Sequence, residues 1–281
     1  MREFYGYSLC SLYIYGMNRI TKYGTTALVA GASEGIGAAF ASYLARQGIH
    51  LVLIARRKEP LDTLARELIE KFSVRVETIP CDLSQPQTDQ YLMDQLSEKS
   101  IDIFIYNAGL SYIGAFEKNT MVHHQEIVHT NVVTPISLIQ FFGSKMVERK
   151  RGAVILMGSL AGLQGAGYLT AYGASKAFTI HLAESLWYEW KDKGVDVIAC
   201  IAGATSSPNF LKTNPGNSGW IKPKIQTPEE VVAECFQNLG KGPRIITGRA
   251  NRIASFIMHR ILPGKLAIKI MGDTTRKMYR L

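Results

Sequence analysis

From Thr26 onward, short continuous apolar runs alternate with stretches in which apolar residues recur every three or four positions. Residues 26–30, 49–55, 74–80, 101–106, 153–158, 195–201 and 243–247 are runs of the first kind. Their apolar residues are continuous instead of alternating with polar ones, so each predicts a strand buried on both faces. Between the second and third runs, Leu61, Leu64, Ala65, Leu68, Ile69 and Phe72 share one helical face. Residues 38–47 give another helical pattern, and Thr227-Pro228-Glu229-Glu230 is a capping box with proline at the first helical position. Strand–helix–strand repeats require parallel pairing with right-handed crossovers. The pattern therefore predicts an α/β fold: a single doubly wound parallel sheet of about seven strands, with helices on both faces and a C-terminal helical extension.

A chain of 281 residues suits one such domain with extensions. The expected division is an N-terminal extension over 1–23, a central domain over 24–247 and a basic amphipathic extension over 248–281. With 47% hydrophobic and 20% charged residues and 10 scattered prolines, long disordered tracts are excluded. The longest apolar run, 197–204, is strand-sized, so no spanning helix is expected. Cys10, Cys81, Cys200 and Cys235 show no CxxC spacing, which predicts reduced thiols, no disulfide framework, no metal site and a cytoplasmic protein. Residues 1–23 are tyrosine-rich and lack a secretory core and cleavage site; Met17 leaves open whether 1–16 are an upstream start or a loosely docked arm.

The first strand runs into Gly31-Ala32-Ser33-Glu34-Gly35-Ile36-Gly37 and then the 38–47 helix. This is the context of a dinucleotide-binding loop. Gly31 serves the tight turn, Gly35 the approach of backbone to a pyrophosphate and Gly37 close helix packing, with the helix N-terminus facing the negative charge. Ser159 follows the fifth strand, and thirteen residues later comes Tyr172-Gly173-Ala174-Ser175-Lys176, which places Tyr172 and Lys176 one turn apart on a helix. Asn107-Ala108-Gly109 follows the fourth strand, Cys81-Asp82-Leu83 the third, and Asn131 falls within a helix.

On these motifs, residues 24–247 resemble the short-chain dehydrogenase/reductase family, including its 3-oxoacyl thioester reductases and hydroxysteroid dehydrogenases. The resemblance implies a Rossmann-like fold and an oxidoreductase interconverting a carbonyl and a secondary alcohol. It makes Tyr172 the acid, Lys176 the holder of the nicotinamide ribose and, with the cofactor, the group that favours ionised tyrosine. Ser159 becomes the donor to the substrate oxygen and Asn131 the anchor of a proton relay. Ser33, Glu34, Ile36 and Gly203 join the glycines at the cofactor, with Asp82, Leu83, Asn107, Ala108 and Gly109 on its adenosine side. A homodimer or homotetramer is also implied, and Phe178, Leu182, Leu186 and Trp190 supply an apolar stripe that suits either core or interface. The other reading of this fold is a regulatory protein that senses nucleotide without turnover.

The second strand ends in Ala55-Arg56-Arg57-Lys58, with no acid there to bind ribose hydroxyls, while arginine suits a 2′-phosphate. NADP(H) is therefore expected over NAD(H), with Glu34 a mild counter-argument. Three positions depart from the family pattern. Ala30 replaces a threonine whose hydrogen bond tethers the glycine loop, Tyr106 replaces an asparagine, and Ala202-Gly203 replaces Pro-Gly. The first two are expected to loosen or reshape the adenosine site. His123, His124 and His129 do not share a helical face and read as a solvated or interface cluster. Segment 203–226, with Phe210, Leu211, Gly216, Gly219, Trp220 and Ile221, reads as a mobile apolar lid over a hydrophobic substrate.

Charge changes the picture only at the end of the chain. Of the net +9, residues 247–281 carry +7, and no zinc-finger or RNP motif accompanies it, so no nucleic-acid partner is expected. Ile253, Phe256, Ile257, Ile261 and Leu262 form one amphipathic helix, and Leu266, Ala267, Ile270 and Met271 a second, divided by Pro263-Gly264. The expected use of these faces is to cover the substrate cleft or a neighbouring subunit; the other is peripheral contact with an anionic membrane.

Overall fold

The computed structural model describes residues 20–213 and 225–281. Its order is β1 (Thr26–Ala30), α1 (Gly35–Arg46), β2 (His50–Ala55), α2 (Lys58–Phe72), β3 (Val76–Pro80), α3 (Thr88–Gln95) and β4 (Ile103–Tyr106). Then follow α4 (Met121–Val128), α5 (Thr134–Glu148), β5 (Gly152–Ser159), α6 (Thr170–Trp190) and β6 (Val195–Ala202). The short α7 (Pro208–Lys212), α8 (Pro228–Asn238), β7 (Arg244–Ile246), α9 (Arg249–Phe256) and α10 (Gly264–Tyr279) complete it. The seven strands form one sheet in the order β3-β2-β1-β4-β5-β6-β7, parallel throughout. Each predicted strand is present, with ends shifted by at most two residues.

Alternate residues of each buried strand feed two separate cores. Ala27 and Val29 point to the face covered by Phe40 and Leu44 of α1, Leu61 and Leu68 of α2, and Val231 and Phe236 of α8. Leu28 and Ala30 point to the other, covered by Leu92 of α3, Phe142 and Met146 of α5, and Ile180 and Ala183 of α6. Fully buried side chains such as Phe40, Phe104 and Phe142 each contribute about 1.5–3 kcal/mol of burial. Of the stripe on α6, Leu182, Leu186 and Trp190 pack against this second core.

At the N-terminal edge of the sheet the buried Asp102 carboxylate accepts from the backbone N–H of Thr25 (2.8 Å) and Thr26 (3.1 Å) and pairs with Arg149 at 3.3 Å. This fixes the starts of β1 and β4 together. The chain returns from β3 at one edge to β4 beside β1, so strand order reverses there and opens a crevice at the C-terminal ends.

Two helices are widened where the sequence predicts simple ones. A π turn over His129–Val133 joins α4 to α5, and another over Ile257–Ile261 continues α9. Helical periodicity does not signal an inserted residue, but such turns recur where a side chain must be re-aimed. The histidines separate: His123 stacks on Tyr112 with ring centres 3.8 Å apart, and His124 on Phe116 at 4.7 Å. Cys10, Met17 and the lid residues Gly216, Gly219, Trp220 and Ile221 lie outside the described residues.

Candidate active site

The crevice is a cleft of about 540 Å³ lined by Gly31, Ser33, Glu34, Gly35, Ile36, Arg56, Arg57, Asp82, Leu83, Asn107, Ala108, Gly109, Ser159, Tyr172, Lys176 and Gly203. Only Gly37 and Asn131 of the candidate residues stand behind it. A side chain at Gly37 would collide with the Gly31 carbonyl, which keeps α1 tight against the loop. Gly31 has a left-handed φ of 80°, and a Cβ there would meet the Ala108 backbone at 2.7 Å.

The N-terminus of α1 carries no side-chain cap, so its first-turn amides open on the cleft where Gly35 and Ile36 line it. Glu34, which could have opposed an anion there, is drawn aside by Arg57 at 2.6 Å. That pairing occupies Arg57 and leaves Arg56, exposed at the end of β2, without a carboxylate partner among the described residues. Asp82 gives one carboxylate oxygen to the Ser84 amide (3.0 Å) and hydroxyl (2.8 Å).

At Ala30, where the sequence departs from the family pattern, the carbonyl accepts from the backbone N–H of Asn107 (3.0 Å) and Ala108 (2.9 Å), and Asn107 Nδ2 donates to the Gly31 carbonyl at 2.8 Å. Backbone and Asn107 thus tie the glycine loop to the segment after β4. The buried Tyr106 donates to the Thr130 carbonyl at 2.6 Å and holds the π turn.

That turn carries Asn131 inward, where it is 2% exposed and satisfied on both ends. Its Oδ1 accepts from the Leu110 amide (2.9 Å), while Nδ2 donates to the Leu110 carbonyl (2.9 Å) and Ser175 Oγ (2.8 Å). Ser175 Oγ in turn donates to the Tyr172 carbonyl at 2.8 Å, so the π turn is tied to the first turn of α6. Lys176, also buried, donates from Nζ to the Met157 carbonyl at 2.8 Å and stands 5.8 Å from the centre of the Tyr172 ring.

Burial pushes the Lys176 ammonium down to about 8 and pushes the Tyr172 phenol up. The Ser159 side chain beside the phenol partly offsets that rise, and Tyr279 adds to it. The Lys176 ammonium is aimed at the Met157 carbonyl, and among the groups of this chain desolvation dominates at the phenol.

Tyr279 shows where the last helix lies relative to the site. Ile268 of α10 lies against Gly165, and a Cβ at Gly167 would stand 3.3 Å from the Gly272 Cα. Ala267 and Thr275 are buried, and the Tyr279 hydroxyl is within reach of Thr213 after α7. The tail's second helix therefore packs on the loop at Gly165 and Gly167 and brings Tyr279 near Tyr172, while the lining of the cleft itself comes from other segments. Sequence reasoning missed Tyr279, and also Ser111, Thr205 and Ser207, which line the cleft from loops without a motif. Phe210, expected in the lid, lines the cleft, while Leu211 is exposed.

Residues 25–217 match the model of the short chain dehydrogenase family. A 7beta-hydroxysteroid dehydrogenase of Clostridium sardiniense is 32% identical over 236 residues, covering 84% of this chain and 90% of that protein. The inactive hydroxysteroid dehydrogenase-like protein 1 of Homo sapiens is 28% identical over 270 residues, covering 92% and 79%. A short-chain dehydrogenase from Sphingobium yanoikuyae, solved in complex with NADPH, superposes with a TM-score of 0.72 at 30% identity over 79% of this chain and 87% of that one. The parallel sheet, the glycine loop and the cluster of Ser159, Tyr172 and Lys176 agree with these matches: the chain belongs to the short-chain dehydrogenase family.

Proposed function

We propose that this chain is an NADP(H)-dependent oxidoreductase interconverting a ketone and a secondary alcohol on a hydrophobic, steroid-like substrate. The observation that carries the reading is the meeting of Ser159, Tyr172 and Lys176 in one cleft with the glycine loop. Here Tyr172 delivers a proton to the carbonyl oxygen, and a phenol held neutral by burial is the right acid for reduction. Ser159 donates to the same oxygen as charge develops on it. Lys176 holds the ribose of the cofactor, and Asn131 keeps Ser175 and the Leu110 backbone in place for the return of the proton.

The uncapped α1 N-terminus, with Gly35 and Ile36 lining the cleft, fits a pyrophosphate. When bound, the nicotinamide supplies the hydride. Arg56 would meet the 2′-phosphate, Arg57 is paired with Glu34, and Asp82, Leu83, Asn107, Ala108 and Gly109 would receive the adenosine side. The steroid-like preference draws on the 7beta-hydroxysteroid dehydrogenase relative. Its rival within the reading is a 3-oxoacyl thioester.

The half-exposed Val133 and Ile136 near the start of α5, and Tyr188 of α6, support a homodimer or homotetramer through these helices; a monomer by sedimentation at micromolar concentration rejects it. The free Cys81, Cys200 and Cys235 support a cytoplasmic setting. A screen of NADPH oxidation against steroid ketones, 3-oxoacyl thioesters and aldehydes tests the reading, with turnover of none of them refuting it. The inactive human relative makes nucleotide sensing without turnover the second reading, and NADPH binding without oxidation is its signature.

A further inference from the structure

The two halves of the tail differ: α10 buries Ala267 and Thr275 and rests on Gly165 and Gly167, whereas the α9 segment leaves its apolar face bare. Ile253, Phe256, Ile257 and Ile261 are 61%, 62%, 40% and 63% exposed. The π turn over Ile257–Ile261 widens the helix enough to keep Ile261 on the line of Ile253. Four large apolar side chains on one exposed strip form an interaction surface, not a scatter of surface residues.

The charges around the strip identify its partner. Arg249, Arg260 and Lys265 are exposed and have no carboxylate partner among the described residues, whereas Arg252 is held by Glu234 at 2.6 Å and Lys269 by Asp273 at 2.7 Å. An apolar strip rimmed by free cations is complementary to a surface that is apolar within and anionic at its edge. A second copy of this chain is a poor fit, because a two-fold contact would bring Arg249 and Arg260 against like charges.

We infer that the Ile253, Phe256, Ile257 and Ile261 face of α9 docks on an anionic lipid surface, with Arg249, Arg260 and Lys265 at the headgroups. The helix is rigidly set beside the cleft. Asn251 Nδ2 donates to the Thr247 carbonyl at 2.8 Å and packs on Gly203, which lines the cleft. Docking therefore presents the cleft to lipid-dissolved molecules, and it stands whether or not the proposed ketone is the substrate.

The test is co-sedimentation of the full chain with vesicles of phosphatidylglycerol and phosphatidylcholine, against phosphatidylcholine alone. Pelleting with the anionic vesicles only, weakened by salt, is expected. Arg249→Gln and Arg260→Gln should each reduce it about fivefold, and Phe256→Asp should abolish it, with NADPH binding unchanged as evidence of an intact fold. Absence of pelleting, equal pelleting with both vesicles, or pelleting indifferent to these substitutions overturns the inference. A fall in oligomeric state on Phe256→Asp in sedimentation velocity also overturns it, in favour of a second copy.

Discussion

Replacing Lys176 by methionine keeps most of the side-chain volume and removes the one ammonium buried in the cleft. In the folded chain burial lowers this group from its ordinary 10.5 to about 8. The unfolded chain therefore binds a proton that the folded chain has lost between these values, and stability rises with pH across that window. The cost of keeping the ammonium buried is about 3 kcal/mol at pH 7 and falls to about 1 kcal/mol at pH 10. The methionine variant carries no such dependence. It also leaves the Met157 carbonyl without its donor, but that loss is a constant offset of about 1–3 kcal/mol. Urea unfolding of both proteins at pH 7, 8, 9 and 10 separates the two effects. The native chain should gain about 2 kcal/mol on the variant over this range, whatever their order at pH 7. Parallel stability curves would show that Lys176 keeps its ordinary proton affinity and that the burial argument is wrong.

Three further outcomes are expected. Tyr172→Phe should lose at least about 100-fold in turnover with NADPH affinity little changed; retained turnover removes Tyr172 as the acid. Arg56→Ala should weaken NADPH by about 1.5–3 kcal/mol while NADH is barely affected, and equal weakening by fluorescence titration assigns the phosphate elsewhere. Gly167→Leu forces Gly272 and its helix outward and disturbs the loop between Ser159 and Tyr172, so KM for a bulky ketone should rise about tenfold or more with cofactor binding intact; an unchanged KM means that α10 does not shape the site.

The features legible in the amino-acid sequence are local ones. The strands are continuous apolar runs because both their faces are covered, and β4 is buried at all four positions. Tyr172 and Lys176 announce themselves because one helical turn joins them. The relations that sequence reasoning missed span long separations. Glu34 pairs with Arg57, Asn107 ties down the loop at Gly31, and Tyr279 reaches the neighbourhood of Tyr172 from the far end of the chain. No spacing rule connects such pairs, since only the packed sheet brings them together. The π turn at Asn131 was hidden for another reason: one extra residue turns the helix face by about 100°, but His129-Thr130-Asn131 holds no apolar residue to record the shift.

The contact between Gly167 and Gly272 bears on how such an enzyme diversifies. Ser159 and Tyr172, proposed to meet the carbonyl oxygen, lie at the end of β5 and on α6, whereas the loop between them rests on the terminal helix at Gly165 and Gly167. Selection can therefore alter the setting of that loop by rewriting one terminal helix while the proposed chemistry beside it stays fixed. The freedom is bounded where glycine meets glycine. With backbones this close, a larger residue at 167 must be matched by a retreat of the helix at 272, so the two positions should change together in descendants that take up a new substrate.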